Sequence, residues 1–186
     1  MLKEGETSVN AYLPSGVWYD FWTGSQIVSS GQHFLFEADL QSIPVHVRGG
    51  SIIPMKSPET TTVATRKNPF QILIALDTTD TASGSIYIDD GEDLEVGKQS
   101  VHVSFTFSGS KLTPTIIQSN YNGDNDNLNV QQVTILGLRK APVSVTVPGS
   151  QAHLSYNANS KILVIQLKTP VPIHSLNLAL KDGDYE

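Results

Sequence analysis

The spacing of the apolar residues limits the fold more than any other feature of this sequence. Apolar residues alternate or run together for about four to eight positions and then stop at Gly, Pro, Asn, Asp or Ser. Residues 71–76 (QILIAL), 84–89 (GSIYID) and 101–107 (VHVSFTF) show the pattern. In a strand such spacing places the apolar side chains on one face. No window of about 11 residues shows an apolar repeat of 3.6 residues free of Pro and Gly, so we predict an all-β fold with very little helix.

The strand signals fall into two groups, and residues 55–69 lie between them. This stretch holds two prolines, three consecutive threonines and few large apolar side chains. Short strands with frequent turns are typical of β-sandwiches. We therefore predict two antiparallel β-sandwich modules, residues 1–66 and residues 67–186.

Three connections are marked by turn residues. Residues 108–110 (SGS) and 156–160 (YNANS) each join two apolar runs, which predicts two hairpins. Residues 118–129 form the longest polar stretch and predict a solvated surface loop.

Charge and composition exclude several kinds of partner. The net charge is −6, and the 12 Lys and Arg residues are nowhere clustered. Binding to phosphates or to an anionic membrane surface needs a basic patch, so we predict neither nucleic acid nor membrane as a partner. No apolar run approaches the roughly 20 residues of a membrane helix, and the N-terminus has no apolar signal segment.

The sequence also argues against cofactors and metals. It has no cysteine, which excludes disulfides, thiolate zinc sites and cysteine nucleophiles. The five histidines lack ligand spacing, and residues 120–127 lack the closing Glu of a calcium loop. No phosphate-binding glycine loop and no Gly-x-Ser-x-Gly motif is present. We therefore predict no cofactor and no metal site.

Three motifs together resemble the C-terminal region of family 31 glycoside hydrolases. They are YLPSGVWYDFWTG at residues 12–24, IPVHVRGGSIIP at residues 43–54 and ASGSIYIDDGE at residues 82–92. A looser match continues through residues 133–137, so the resemblance covers most of the chain. It is strongest to α-glucosidases of the acid and intestinal maltase type.

The resemblance implies a role inside a larger enzyme. In this family the first two motifs belong to a proximal C-terminal β-sandwich and the third opens a distal one. The catalytic residues lie on a (β/α)₈ barrel, which needs about 250 residues of alternating strands and helices. The chain has neither that length nor that pattern, so no catalytic residue can be assigned to it.

The expected partner is therefore the catalytic barrel of a parent α-glucosidase, a retaining enzyme that releases terminal α-linked glucose. The chain alone is expected to be inactive. The alternative is a stand-alone carbohydrate-binding or interaction protein, with an α-glucan or maltooligosaccharide as ligand. The resemblance implies a secreted or lysosomal parent, but the chain itself does not fix the compartment.

Five residues are candidates for contacting a sugar. Trp18, Tyr19 and Trp22 could form an aromatic platform, although large aromatics more often pack in a core or at an interface. On a strand, Trp18 and Trp22 would share one face and Tyr19 would point the other way. Asp89 and Asp90 could bind sugar hydroxyls, although Asp-Asp-Gly after a strand is also what a tight turn requires.

Arg48 and the two glycines after it form a further feature. The guanidinium could bind a carboxylate in a bidentate manner or stabilise the junction structurally. Gly49 and Gly50 predict a bulge or a close approach of two backbone segments.

Overall fold

The computed structural model describes residues 5–91, 98–121, 123 and 126–181, and within these ranges β-strands dominate. The strands are β1 (Ser8–Leu13), β2 (Gly16–Asp20), β3 (Gln26–Ser29), β4 (Gln32–Glu37), β5 (His46–Arg48), β6 (Ser51–Lys56), β7 (Phe70–Ala75), β8 (Ala82–Asp89), β9 (Ser100–Ser108), β10 (Lys111–Ser119), β11 (Asn129–Leu136), β12 (Ser144–Thr146), β13 (Ala152–Asn157), β14 (Ile162–Pro172) and β15 (Leu178–Lys181). The helical elements are α1 (Thr62–Arg66) and a 3₁₀ turn (Ile173–Ser175). The prediction of an all-β fold is confirmed.

Helix α1 lies inside the stretch between the two groups of strand signals. It begins because the Thr61 hydroxyl accepts a hydrogen bond from the Ala64 amide, which is a standard N-cap. None of the helices in the described part of the chain has the length and apolar character needed to cross a membrane.

Ten strands form one large sheet that closes around the main core. Their order is β12-β15-β10-β9-β8-β6-β7-β11-β14-β13. Strand β9 shows why the sheet forms, since its apolar residues at positions 101, 103, 105 and 107 are buried and the residues between them point outward. The core receives side chains from nearly every strand of this sheet, among them Ile72, Phe105, Phe107, Leu112 and Ile165.

Both predicted hairpins are present, but the pairing is not purely antiparallel. Strands β9 and β10 pair across Gly109 and Ser110, which both have positive φ, and β13 pairs with β14. Strand β7, however, runs parallel to β11, and β6 runs parallel to β8 over a short contact. These pairings join segments distant in sequence, so the local pattern that predicts strands does not reveal them.

A second layer of strands covers the outer face of the large sheet. Strands β3, β2 and β5 form a three-stranded sheet. Its buried residues pack against β7 and β11 in a second, smaller core, made of Val17, Tyr19, Val47, Leu73, Ala75 and Leu136. Strands β1 and β4 pair with each other, and the Phe36 ring on β4 lies 4.3 Å from the His46 ring on β5.

The proposed division at residue 66 stays a prediction, since no observation separates two folding units. Strand β6, which that division assigns to the first module, is hydrogen-bonded between β7 and β8 of the large sheet. The three-stranded sheet meets the large sheet through the second core.

Candidate functional site

Tyr19 lies between the two sheets and not on the surface. Its side chain is fully buried, and its hydroxyl donates a 2.8 Å hydrogen bond to the carbonyl of Leu76. Burial disfavours the phenolate and raises the pKa of Tyr19 to about 12. A Cβ atom at Gly137 would overlap the tyrosine hydroxyl, so this position has room only for glycine. The ring therefore has no exposed face for a sugar. Tyr19 instead connects the three-stranded sheet to the large sheet.

Trp18 points away from Tyr19, as the alternation along β2 requires. Its ring is half-buried, and its indole N–H donates to the carbonyl of Pro14 at 2.9 Å. The guanidinium carbon of Arg48, which is the cross-strand neighbour of Trp18, lies 5.9 Å from the ring centroid. One side of this indole is therefore taken up by an arginine.

Trp22 lies in the turn after β2, because the strand ends at Asp20. The Asp20 carboxylate fixes this turn by accepting hydrogen bonds from the amides of Trp22 (3.1 Å) and Thr23 (2.7 Å) and from the Thr23 hydroxyl (2.8 Å). Partial burial would raise the pKa of Asp20, but these hydrogen bonds outweigh it and hold the pKa below its usual value. The Trp22 indole N–H donates to the carbonyl of Ile43 at 2.9 Å. The side chain is nevertheless 67% exposed.

The connection between β4 and β5, which is hydrogen-bonded to the turn of Trp22, also carries exposed apolar residues. Leu40 is 100% exposed, Ile43 is 73% exposed and Val45 is 37% exposed. The connection is attached to the turn by the Trp22–Ile43 bond and by a 2.8 Å bond from the Phe21 amide to the Val45 carbonyl. We call Trp22, Ile43 and Val45 the Trp22 patch.

Asp89 and Asp90 lie at the end of β8 in a tight turn. The Asp89 carboxylate accepts a 3.1 Å bond from the Gly91 amide, and Gly91 has a φ of 75°. The Asp90 amide donates to the carbonyl of Gln99. These contacts match the turn interpretation, and Glu92 of the same motif lies outside the described residues.

Asp126 is a buried carboxylate that the sequence does not reveal. The prediction of a solvated loop fails at this residue, because its side chain is only 3% exposed. Arg66 binds both carboxylate oxygens, at 3.0 and 2.7 Å, and the Tyr121 hydroxyl donates to one of them at 3.0 Å. Lys56 lies 3.8 Å away, and its pKa is lowered mainly by burial. The partners are up to 70 positions apart, so no local motif announces the cluster.

The predicted close approach of two backbone segments is confirmed at Gly49. A Cβ atom at Gly49 would lie 2.8 Å from the carbonyl oxygen of Leu76 and 3.0 Å from that of Val17, and Gly50 has a φ of 91°. An open cavity of about 380 Å³ adjoins these glycines, and Arg48 and Asp77 contribute to its wall. Among the described residues, no group of His, Asp and Glu side chains is arranged to hold a metal ion.

Comparison with known proteins agrees with this architecture. Residues 1–53 match the family model described as "Glycosyl hydrolase family 31 C-terminal domain". Intestinal sucrase-isomaltase of Homo sapiens is 34% identical over 173 residues, which cover 89% of this chain and 9% of that protein. Lysosomal α-glucosidase of Rattus norvegicus is 33% identical over 184 residues, which cover 89% of this chain and 19% of that protein. The chain is a family 31 C-terminal region of the maltase-like branch.

Solved structures show the same fold as this family 31 region. A crystal structure of the glucosidase II alpha subunit with Glc1Man2 bound aligns with a TM-score of 0.76 at 20% identity, over 98% of this chain and 22% of that one. A GH31 dextranase of Flavobacterium johnsoniae complexed with glucose aligns with a TM-score of 0.74 at 20% identity, over 98% of this chain and 25% of that one. The family 31 region thus spans a quarter or less of the chains that it resembles.

Proposed function

We propose that this family 31 region is the non-catalytic C-terminal portion of an α-glucosidase and that it supports the catalytic barrel through the Trp22 patch. The observation that carries the proposal is that Trp22 is held in place by hydrogen bonds and yet exposed. An ordered, exposed indole next to exposed aliphatic side chains is characteristic of an interface anchor. Burying most of one indole contributes on the order of 3 kcal/mol.

The carboxylates of the region support a non-catalytic role. A retaining glycosidase needs a general acid with a raised pKa and a second carboxylate about 5–5.5 Å away. Among the described carboxylates, Asp20, Asp39 and Asp77 have a clearly shifted pKa, and each is lowered. For Asp20 and Asp77, burial opposes the shift and hydrogen bonds outweigh it, while for Asp39 the Ser42 hydroxyl is the main cause. These groups are stabilised as anions and are unsuited to donate a proton.

An activity assay tests the inactivity of the isolated region. The 186-residue protein is expected to release no glucose from maltose and no chromophore from an aryl α-glucoside above background. The same assay on the protein encoded by the complete reading frame, with any upstream barrel, is expected to show turnover. Turnover by the 186-residue protein that disappears when one of its own acidic residues is replaced would overturn the proposal.

A second test addresses the patch directly. In the full-length protein Trp22→Ala is expected to lower the temperature of thermal inactivation, while in the isolated region it leaves the unfolding temperature nearly unchanged. Tyr87→Ala is the matched control, because Tyr87 is a 43% exposed aromatic residue on β8 outside the patch. Equal effects of the two substitutions on the full-length protein would contradict a docking role for the patch.

The exposure of Trp22 also favours one alternative, which is direct binding of an α-glucan or maltooligosaccharide. In that case Trp22 would stack on a sugar ring, with Trp18, Asp89 and Asp90 as further candidates. Calorimetry with maltoheptaose decides between the two. Saturable binding by the isolated region that Trp22→Ala removes would support the alternative, and no heat at millimolar ligand would exclude it.

A further inference from the structure

Arg48 differs from the other two arginines of the chain. Arg66 donates hydrogen bonds to both carboxylate oxygens of Asp126. The Arg139 guanidinium lies 3.3 Å from the Asp80 carboxylate and donates to the carbonyl of Thr78. Arg48 makes no hydrogen bond or ion pair with any described residue, and its side chain reaches the surface. In an acidic chain with 18 Asp and Glu residues, a guanidinium without a carboxylate partner needs an explanation.

The position of Arg48 is fixed by its surroundings. It is the last residue of β5 and pairs with Trp18 of β2, whose indole is itself held by the bond to Pro14. The guanidinium lies over that indole at 5.9 Å, a cation–π arrangement that leaves the N–H edges of the fork available. The backbone that follows cannot shift, because Gly49 lies against the carbonyls of Val17 and Leu76.

Arg48 contributes to the wall of the 380 Å³ cavity, and the acidic residue of the same wall is already used. One oxygen of Asp77 accepts hydrogen bonds from the Thr79 amide and hydroxyl and from the Thr81 amide, and the other accepts from the Thr81 hydroxyl. Both oxygens of Asp77 are therefore occupied by groups of its own turn. The cavity presents one guanidinium whose donors have no acceptor within the described chain.

We propose that Arg48 is a docking point for a carboxylate carried by an Asp or Glu side chain of the catalytic domain. A guanidinium fork matches the two oxygens of a carboxylate, as Arg66 and Asp126 demonstrate within this same chain. A phosphate, with its larger negative charge, fits less well, since Arg48 is the one cation in the cavity wall and Asp77 lines the same wall. This inference rests on the proposed function and adds a charged contact to the apolar one made by the Trp22 patch.

The isolated region tests whether Arg48 accepts a carboxylate at all. Its three arginine Nε–H groups can be followed by NMR during titration with sodium acetate, with sodium chloride at equal ionic strength as the reference. The Arg48 signal is expected to move saturably in acetate and much less in chloride, while the Arg66 signal stays in place because its carboxylate is already bound. Equal shifts of Arg48 in both salts, or none, would overturn the inference.

The full-length protein tests whether the carboxylate belongs to the catalytic domain. Arg48→Gln is expected to lower its unfolding temperature by about 2–4 °C, the change typical of losing one charge-assisted contact. Arg48→Lys should recover part of the loss, and Arg139→Gln is the surface-arginine control. If Arg48→Gln leaves the unfolding temperature of the full-length protein unchanged, a docking role is rejected. An equal decrease of the unfolding temperature in the isolated region would also reject it, because Arg48 would then stabilise the region itself. Failure of the Arg48→Gln test alone would leave the proposed function standing, and failure of the Trp22→Ala test alone would remove the apolar contact but not the one at Arg48.

Discussion

The large sheet and the strands that precede it use aromatic residues in opposite ways. In the large sheet Phe105 and Phe107 are 1% exposed and sit inside a continuous core. In the N-terminal strands Phe34 and Phe36 are only half-buried, although they stack at 6.1 Å. The large sheet encloses a core of its own, and the N-terminal strands leave much of their apolar surface open.

The distribution of exposed apolar residues makes the same contrast. Of the twelve large hydrophobic residues that are exposed in the described chain, seven lie between residues 12 and 45. These are Tyr12, Trp22, Val28, Leu35, Leu40, Ile43 and Val45. The segment matched by the family model, residues 1–53, is thus also the segment that presents most of this unfilled surface. The segment matched by the family model and the expected interface therefore occupy the same part of the chain.

The largest expected effect comes from replacing one phenylalanine by alanine in each of the two regions. Phe105→Ala should destabilise the isolated region by about 3–5 kcal/mol, because it opens a cavity in a dry core. Phe36→Ala should cost less than about 2 kcal/mol, because the ring is already partly in water. Urea unfolding of both variants measures the difference. Equal losses would show that the N-terminal strands are as tightly packed as the large sheet.

The next effect concerns Asp126, the buried carboxylate in the connection between β10 and β11. Asp126→Ala should cost about 2–3 kcal/mol, because it removes the carboxylate that Arg66 and the Tyr121 hydroxyl bind and the negative charge that faces Lys56. Hydrogen exchange should rise at the Asn127 amide, which donates to the Arg66 carbonyl. Asp39→Ala is the control, since that carboxylate is exposed and bonds only within its own turn. Equal losses of stability in the two variants would refute a stabilising role for the contacts of Asp126.

Tyr19 gives a pH dependence for the contact between the layers. Its folded pKa of about 12 exceeds that of an unfolded tyrosine, so its contribution is complete below about pH 10 and is lost as the pH rises towards 12. Wild-type protein should lose about 2 kcal/mol more than Tyr19→Phe across this window. Denaturant unfolding at pH 9, 10.5 and 11.5 measures it. Parallel curves for the two proteins would mean that the hydroxyl is not held in a dry contact.

The smallest expected effect lies on the open surface. Ile43→Ala should change the stability of the isolated region by less than about 0.5 kcal/mol, since Ile43 is 73% exposed. The same change in the full-length protein should be larger if the Trp22 patch is covered there. Comparing thermal unfolding of the two proteins sharpens the contrast between a self-sufficient sheet and one that needs a partner.

Local features of the fold can be predicted from the sequence, because their causes are local. The alternation in β9, the turn at Gly109 and the close approach at Gly49 follow from side-chain period and steric freedom. The opposite directions of Trp18 and Tyr19 also follow from alternation along β2, but neither the burial of Tyr19 nor its acceptor, Leu76, does.

Non-local features could not be predicted in this way. The parallel pairing of β7 with β11 joins segments about 60 residues apart, and the local sequence of neither strand indicates its partner. Asp126 lies in a stretch whose composition predicts solvent exposure, yet Arg66 and Tyr121 bury it. The exposure of Trp22 depends on the turn that Asp20 fixes, and a strand extended by two residues would have placed the ring differently.

The parallel pairing of β7 and β11 also has a consequence for the order of assembly. The surface that receives Val17 and Tyr19 is made of residues from both strands, so it is complete only after Leu136 has been synthesised. During translation the N-terminal strands emerge first and then wait for more than a hundred residues without their docking surface. Pairings this distant in sequence close slowly. We expect the first strands of this region to be the last to pack, with their aromatic side chains open to chaperones or to a neighbouring domain in the meantime.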